Sequence, residues 1–381
     1  MPARREERHT HVDTIDSMVV PGPLAWEAPP PQPSRRWLWM LLACVLAVAV
    51  VSAALFFPMP YYAITPGSAR QVDDLISATG AQTYPPTGRV LLATVTLRTV
   101  HPVDFAQRWW DHDIQIVKEE VIRGTTPRSQ FTKVNLDAMD ESKRTAIVVA
   151  LRRLGYQVPA TGKGALVTEV VTGKGYPAEG RINAGDVITS IDGQPVQFVE
   201  QAIALLHKHK PGDQVSLQVL SPGGQSRVEQ LTMARKDDGT AILGVSLQTD
   251  HLDYKLPFDV KIDSGQIGGP SAGLAFALGV LDELSPGELT GGARVAATGT
   301  IGIDGTVGDV GGVPQKTAAV IASGAKVFLV PPGEYNDAVK RAGKRLKVVK
   351  VENLNEAIAA LGQLGGDVSA LGPPPKPAPQ G

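Results

Sequence analysis

A long run of apolar residues dominates the hydrophobic pattern near the start of the chain. Residues 37–57 contain 21 consecutive positions without a charged side chain. A helix rises about 1.5 Å per residue, so a run of this length crosses a hydrocarbon core of about 30 Å. We therefore predict a transmembrane helix at residues 37–57. Residues 1–36 have mixed charges, a cluster of prolines and no apolar periodicity, which predicts a disordered tail.

The charges that flank this run predict its orientation. Arg35 and Arg36 lie at its N-terminal end, and the next basic residue is Arg70. Because positively charged flanks remain in the cytoplasm, we expect a single-pass cell-membrane protein with a cytoplasmic tail and an extracytoplasmic remainder. A cleaved signal peptide is the alternative, since the small residues 52–54 suit a signal peptidase; the product would then be secreted.

Beyond residue 58 the pattern changes to short β-type segments and amphipathic helices. Runs of β-branched and apolar residues bounded by turns are typical of strands, and apolar residues three and four apart are typical of helices. The predicted strands are 89–99, 165–171, 187–191, 214–220 and 228–233, and the predicted helices are 137–154 and 198–207. The fold class is therefore α+β. Residues 365–381, rich in glycine and proline, are predicted to form a second disordered tail.

Composition and charge exclude several classes of function. The chain has 37 basic and 38 acidic residues and a formal net charge of -1, so no global positive field would attract nucleic acid. Cys44 is the only cysteine, which excludes an intrachain disulfide and a cysteine-based metal site. His207, His209 and the segment 111–113 lack further partners at ligand spacing. We therefore expect no metal, no cofactor and no nucleic-acid partner.

Four segments in the middle of the chain form a recognisable pattern, and they are residues 166–171, 176–178, 185–188 and 191–196. Together they resemble a PDZ domain of the bacterial protease type, which we assign to residues 151–235. The resemblance implies binding of a peptide as an added strand, with its carboxylate held by N–H groups of an apolar-Gly-apolar loop. Leu154, Gly155 and Tyr156 fit that loop by position. Alternatively, these three residues only cap the preceding helix.

Two glycine-rich segments place a serine and a lysine at the starts of helices. Residues 268–273 read Gly-Gly-Pro-Ser-Ala-Gly, and a serine on such a turn lies beside N–H groups that can stabilise an oxyanion. A helix-capping role for this serine, Ser271, is the alternative. Residues 298–316 predict a glycine-punctuated pair of strands that brings Lys316 to the start of an apolar helix. Alone, a lysine at such a position is typical of a solvated surface.

Taken together, these two segments resemble the proteolytic domain of the Lon family. The nucleophile motif of that family stands at Gly269–Leu274, and its lysine motif extends from Thr298 to Lys316. The resemblance covers about residues 242–361, and we assign a Lon-like proteolytic domain to 236–364. Residues 58–150 form an extracytoplasmic N-terminal segment. If this segment supplies early strands of the same protease fold, the PDZ domain is an embedded insertion.

The resemblance implies a serine endopeptidase that hydrolyses peptide bonds with a Ser-Lys dyad, Ser271 being the nucleophile and Lys316 the general base. A lysine acts as a base near neutral pH only if burial and neighbours lower its pKa from about 10.4. The resemblance also suggests Thr298 as a hydrogen-bonding neighbour of the lysine and Gly269 as an oxyanion donor. Many Lon enzymes have an acidic residue three positions before the serine, where this chain has Gly268.

The sequence contains no phosphate-binding loop of the form GxxxxGK[ST]. We therefore expect an ATP-independent protease without bound nucleotide, acting on unfolded or extracytoplasmic proteins and peptides. The family resemblance suggests a homo-oligomer, specifically a hexameric ring. The alternative function is a membrane-tethered PDZ adaptor that binds peptides and has a catalytically silent Lon-like domain.

Overall fold

The chain divides into two compact units, residues 1–56 and 57–381. In the first unit, α1 (Arg36–Phe56) is a helix of 21 residues with no buried residue and a window of mean hydropathy 2.6. It is long and apolar enough to cross a membrane, and it begins one residue before the predicted span. The predicted N-terminal tail lies almost entirely outside the described residues. The computed structural model describes residues 35–108, 111, 113–173, 175–236 and 239–372.

The second unit combines helices and strands along its whole length. Its helices are α2 (Pro102–Gln107), α3 (Glu119–Arg123), α4 (Arg128–Arg153), α5 (Val199–Leu206), α6 (Gly273–Leu284), α7 (Val313–Ala322), α8 (Tyr335–Ala342) and α9 (Leu354–Gln363). Its strands are β1 (Tyr61–Gln71), β2 (Ile76–Thr79), β3 (Arg89–Thr99), β4 (Gln115–Lys118), β5 (Ala160–Thr161), β6 (Ala165–Val170), β7 (Val187–Ile191), β8 (Gln194–Pro195), β9 (Gln214–Leu220), β10 (Ser226–Thr232), β11 (Ala234–Arg235), β12 (Ala241–Ile242), β13 (Val245–Thr249), β14 (Asp253–Tyr254), β15 (Asp259–Ile262), β16 (Arg294–Ala297), β17 (Thr300–Ile301), β18 (Val307–Gly308), β19 (Val327–Val330) and β20 (Lys347–Lys350).

A mixed six-stranded sheet of order β20-β19-β16-β3-β1-β4 organises the second unit. The neighbouring pairs β20–β19, β19–β16 and β16–β3 are parallel, with Leu91 of β3 in register with Ala296 of β16. Strand β1 pairs antiparallel with β3 on one side and with β4 on the other. The strands before and after the PDZ-like region therefore belong to one sheet, which makes that region an insertion between β4 and β16.

Alternate side chains of β3 face two different cores, as the period of two in a strand requires. Val90 and Leu92 pack in a core with α4, α6 and α9. Leu91 and Ala93 pack in a second core with α7 and α8. The central sheet therefore lies between two helical layers. Helix α6, which follows the serine segment, and helix α7, which carries the lysine, belong to opposite layers.

Helix α4 is longer than its sequence pattern predicts. It begins at Arg128, directly after Pro127, whereas apolar periodicity predicts a start at Asp137. The first turns lack buried residues, and burial begins at Met139, so only the second half of the helix shows the expected pattern. The exposed first half lies beside the candidate site described below.

The PDZ-like region has its own sheet, of order β10-β9-β7-β6-β13. Its separate core includes Ile188, Ile191, Leu217 and Val219. The sequence-based boundary at residue 235 was too early, because β13 (Val245–Thr249) pairs antiparallel with β6 and completes this sheet. Strand β13 is short and is separated from β10 by residues 233–244, which include β11 and β12, so periodicity did not assign it to this region.

The segment 365–372 corrects the prediction of a disordered tail from residue 365. Leu371 is buried and packs in the core that contains α4 and α9. The guanidinium of Arg153 donates hydrogen bonds to the carbonyl oxygens of Leu371 (2.6 Å) and Gly372 (2.9 Å). The hydrogen bonds from Arg153 and the burial of Leu371 therefore order this glycine-rich stretch. The rest of the predicted tail, residues 373–381, lies outside the described residues.

Candidate active site

The serine segment is a loop between β15 and α6 that helix α4 holds from one side. Gly269 has φ +85°, in the region that favours glycine. Its N–H donates a hydrogen bond of 2.7 Å to the carbonyl of Asn135 on α4. The hydroxyl of Ser142, also on α4, donates one of 3.0 Å to the carbonyl of Pro270. Two residues of α4 thus fix the loop just before Ser271.

Helix α6 begins two residues after the serine, at Gly273. A Cβ at position 273 would lie 2.8 Å from Cγ2 of Ile301, so glycine permits the close approach of the helix start to β17. The N-cap is Ala272, without a side-chain hydrogen bond. The alternative that Ser271 is the capping residue was therefore wrong. Ser271 is half-buried and precedes the cap.

The lysine reaches the same place from the opposite layer. Helix α7 starts after Gly312, whose φ is +69°, and Lys316 lies in its first turns with only 2 % of its surface exposed. Its Nζ donates a hydrogen bond of 3.1 Å to Oγ1 of Thr298. The Thr298 hydroxyl in turn donates one of 3.2 Å to the carbonyl of Ser271. The structure thus brings together the three predicted residues Ser271, Thr298 and Lys316.

Burial changes the protonation of the lysine. Removal of the ammonium from water lowers the pKa of Lys316 to about 8, and the nearby carboxylate of Glu334 opposes this shift. An amine with such a pKa is partly neutral at physiological pH, and a neutral amine can accept a proton. The expectation of a solvated surface lysine was therefore wrong for this position.

Ser271 and Lys316 share a cavity of about 730 Å³. Strands β1 and β3 form one wall, through residues such as Ile64 and Leu97. The serine loop, Met139 of α4 and the glycine pair before α7 complete the lining. Along β3, the lining includes the consecutive residues 92–97.

Gly268 and Gly269, the two glycines before Pro270, both contact Asn135 of α4. The N–H of Gly269, suggested as an oxyanion donor, is already bonded to Asn135. At Gly268, a Cβ would lie 3.0 Å from the Cβ of Asn135, so the approach of α4 disfavours the acidic residue that many Lon enzymes have there. By contrast, the N–H groups of Ser271 and Ala272 donate no hydrogen bond to any residue that the structure describes.

The loop suggested for the PDZ carboxylate site is a helix cap instead. The N–H groups of Leu154, Gly155 and Tyr156 donate to carbonyls of the last turn of α4, at Ala150, Arg152 and Leu151 respectively. Gly155 has φ +87°, as the residue after a helix commonly does. The ring of Tyr156 packs edge-on against Phe258, outside the PDZ-like sheet. These three amides are occupied, which makes the capping alternative the observed one.

A second apolar-Gly-apolar sequence lies where a PDZ domain would need it. Leu243, Gly244 and Val245 lead directly into β13, the edge strand of the PDZ-like sheet. Within the described part of the chain, the N–H groups of Leu243 and Gly244 have no hydrogen-bond acceptor. Gly244 has φ +85°. This loop is not among the candidates named from the sequence, although a glycine between apolar residues just before a strand is a usable signal.

Two of the side chains considered as metal ligands, His209 and Asp113, form other contacts. Nε2 of His209 lies 2.8 Å from a carboxylate oxygen of Asp192, and Asp113 forms a 2.6 Å ion pair with Arg341. His112 lies outside the described residues. In the ranges that the structure describes, no group of three or more His, Cys, Asp or Glu side chains could hold a metal ion.

Comparisons with known proteins match two parts of the chain. Residues 152–229 match the family model of the PDZ domain, and residues 251–362 match that of the Lon protease (S16) C-terminal proteolytic domain. A Lon protease of Trichlorobacter lovleyi is 31% identical over 127 residues, or 32% of this chain and 14% of that protein. Lon protease 2 of Bacillus subtilis is 33% identical over 92 residues, which cover 24% of this chain and 16% of the relative.

Two further similarities are to a serine protease and to a solved PDZ domain. The serine protease PepD of Mycobacterium tuberculosis is 32% identical over 74 residues, 19% of this chain and 16% of that protein. The PDZ domain of an SdrC-like protein from Listeria monocytogenes has 28% identity, with a TM-score of 0.21, and the match covers 22% of this chain and 87% of that structure. The chain thus aligns with about a sixth of the length of the curated relatives that it matches.

The two family matches confirm the resemblances that the sequence motifs suggested, and both matched regions lie in the second unit. The chain carries a PDZ domain and a Lon protease C-terminal proteolytic domain, and it is homologous to Lon proteases.

Proposed function

We propose that the protein is a membrane-anchored, ATP-independent serine endopeptidase in which Ser271 is the nucleophile and Lys316 the general base. The observation that carries this proposal is the hydrogen-bonded chain from the buried Nζ of Lys316 through Thr298 to the carbonyl of Ser271. It links a lysine of lowered pKa to a serine at the start of a helix, in one cavity.

In the proposed reaction, neutral Lys316 takes the proton of the Ser271 hydroxyl as its oxygen attacks the substrate carbonyl. The tetrahedral intermediate places its oxyanion near the N–H groups of Ser271 and Ala272, at the positive end of α6. Lys316 then gives its proton to the leaving amine, and an acyl-enzyme ester remains. A water molecule, deprotonated by the same amine, hydrolyses that ester and restores the serine.

The surroundings of the site favour extended protein substrates. The cavity is flanked by strands β1 and β3, and a peptide in extended form offers its backbone to such walls. Neither of the matched family models is an ATPase module, so we propose that substrates arrive already unfolded. The PDZ domain would bind them through the edge strand β13 and the loop at Leu243–Val245.

The location and assembly of the protein form part of the same proposal. Helix α1 would anchor the chain with Arg35 and Arg36 on the cytoplasmic side and the PDZ and protease domains outside. A single introduced thiol tests this topology: Lys208→Cys in a Cys44→Ala background should react with a membrane-impermeant maleimide in intact cells. Protein released by an alkaline carbonate wash would instead support the secreted alternative. Mass photometry in detergent tests the proposed hexamer.

The decisive experiment measures proteolysis by the full-length protein in detergent. Wild type should degrade unfolded casein without nucleotide, and Ser271→Ala and Lys316→Met should reduce the rate at least about 10³-fold. Lys340→Met, at an exposed lysine of α8, is the matched control and should retain full activity. A wild type that assembles, binds peptide and never cleaves would overturn the enzymatic proposal in favour of the adaptor function.

A further inference from the structure

We propose that Asp309 and Glu334 form a carboxyl pair that shares one proton, positions the loop before the lysine helix, and thereby sets the pH at which Lys316 can act as a base. This inference rests on the proposed function for its catalytic consequence. Its structural part concerns two loops, one before α7 and one before α8, and a pair of carboxyl side chains to which the family resemblance assigns no role.

The two carboxyl groups connect these loops reciprocally. Glu334, from the turn before α8, accepts a hydrogen bond of 2.6 Å from the N–H of Val310. Asp309, from the loop before α7, accepts one of 3.2 Å from the N–H of Gly333. Each loop thus supplies one carboxyl group and one backbone donor. The loop that is held in this way continues through Gly311 and Gly312, which line the cavity, to the start of α7.

The contact between the loops is close enough to restrict the residue at 333. A Cβ at this position would lie 2.7 Å from Cγ of Asp309, far inside van der Waals distance. Glycine there lets the Asp309 carboxyl group lie directly against the backbone of the other loop. The close approach of the two loops brings the carboxyl groups of Asp309 and Glu334 together, although Asp309 itself is exposed.

The shared proton follows from the chemistry of the pair. Oε2 of Glu334 is buried and has no hydrogen-bond partner among the described residues, and the carboxyl group of Asp309 is held nearby by the N–H of Gly333, the residue before Glu334. Two ionised carboxylates are both acceptors and cannot bond, whereas a protonated and an ionised one can. Burial and the charge of Asp309 both raise the pKa of Glu334, which favours retention of that proton.

The protonation of this pair matters because Lys316 is close. The charged groups that face Glu334 are Asp309, from the loop before α7, and Lys316, from α7 itself. An ionised Glu334 favours the ammonium form of Lys316 and so raises the pKa of the lysine. When the pair holds a proton, this stabilisation is weaker and the amine is released as a base at lower pH.

Two isosteric variants should have opposite effects on the activity profile. In Asp309→Asn, the new amide can donate to Glu334 and keeps it ionised, so the acidic limb of the kcat profile should move to higher pH. We expect a loss of about 3- to 10-fold in kcat at pH 7, with KM unchanged. Glu334→Gln retains the acceptor for Val310 and removes the charge, so its acidic limb should stay in place or move to lower pH. In the double variant, Asp309→Asn with Glu334→Gln, the acidic limb should return to its wild-type pH or lie at lower pH.

A readout independent of turnover separates this inference from the proposed function. In a full-length Ser271→Ala background with isotope-labelled lysine, the Cε resonance of Lys316, identified by its loss in Lys316→Met, reports the pKa of the amine. Asp309→Asn should raise that pKa and Glu334→Gln should not. If these shifts occur in a protein without protease activity, the pair stands and the proposed function fails. Unchanged pKa values, or shifts of the same sign in both variants, would overturn the pair.

Discussion

The amine of Lys316 donates a hydrogen bond of 3.1 Å to the hydroxyl of Thr298. The same hydroxyl donates to the backbone of the serine loop, so its oxygen presents a lone pair to the lysine. Thr298 is fully buried and connects α7, on one side of the sheet, with the start of α6 on the other. This relationship defines the orientation of the amine toward Ser271 and gives the first prediction.

Replacement of Thr298 by valine should remove this connection without a change in shape. The Lys316 amine would lose its buried acceptor, and the carbonyl of Ser271 would lose one donor. We expect Thr298→Val to lower kcat by about 10- to 100-fold with a smaller change in KM, corresponding to about 1 to 3 kcal/mol of lost interaction. Thr298→Ser keeps the hydroxyl and is the control; equal losses in both variants would contradict the role of the hydroxyl.

The buried lysine should be costly for stability. Its pKa is about 8 in the folded protein, compared with 10.5 for a lysine exposed to water. The unfolded chain therefore binds more protons between these two pH values, and wild-type stability should rise as pH increases through this window. Lys316→Met has no such cost. We expect it to increase the free energy of unfolding by about 1 to 3 kcal/mol at pH 7, and by much less near pH 10. Denaturant unfolding at both pH values measures this, and a less stable variant at pH 7 would contradict it.

Local patterns in the sequence identified the residues that meet in the candidate site more readily than the residues that support them. The spacing of glycines around Ser271 and Lys316 lies within short segments, and β3 is a continuous run of apolar and β-branched residues that gives its observed bounds, residues 89–99. The contacts of Asn135 and Ser142 with the serine loop join residues more than 120 positions apart, and no local pattern encodes them.

Contacts between residues far apart in sequence also explain the errors at the edges of the domains. Strand β13 pairs with β6 across the whole PDZ-like region, and residues 365–372 are ordered by Arg153, more than 200 positions earlier. A carboxylate loop could be sought only by its apolar-Gly-apolar sequence, which occurs both at Leu154 and at Leu243. Only the tertiary hydrogen bonds distinguish the helix cap from the loop before an edge strand.

The glycines of these two apolar-Gly-apolar sequences, Gly155 and Gly244, give a matched pair of variants. Gly155 and Gly244 both have a positive φ, but a Cβ at 155 would meet open space, whereas one at 244 would lie 2.6 Å from Cδ1 of Tyr176. We expect Gly155→Ala to cost about 1 kcal/mol of stability and to leave peptide binding unchanged. Gly244→Ala should cost more and weaken binding of a labelled peptide with a free apolar C-terminus at least about fivefold, as measured by fluorescence anisotropy. The C-terminally amidated peptide is the negative control, and a larger binding loss in Gly155→Ala would contradict the assignment.

A buried carboxyl group on α6 should make the stability of the protein depend on pH in an unusual direction. Asp282 has no exposed surface; one oxygen accepts a hydrogen bond of 3.1 Å from the N–H of Leu289, and the other has no partner in the described part of the chain. Burial, and secondarily the charge of Asp73, raise its pKa from 3.8 to about 7. Because the folded state holds this proton more tightly than the unfolded state, wild-type stability should increase as pH falls from 7 toward 4.

Asp282→Asn tests this directly, because the amide oxygen can still accept from Leu289 while the group can no longer ionise. At pH 8 the variant should be more stable than wild type by about 2 kcal/mol, since wild type must keep a carboxylate in a dry site there. At pH 5 the difference should be small or reversed. Asp74→Asn, at an exposed neighbour of Asp73, should follow the wild-type curve. Thermal unfolding of the three proteins from pH 5 to 8 measures the effect, and parallel curves for wild type and Asp282→Asn would show that Asp282 is already ionised across this range.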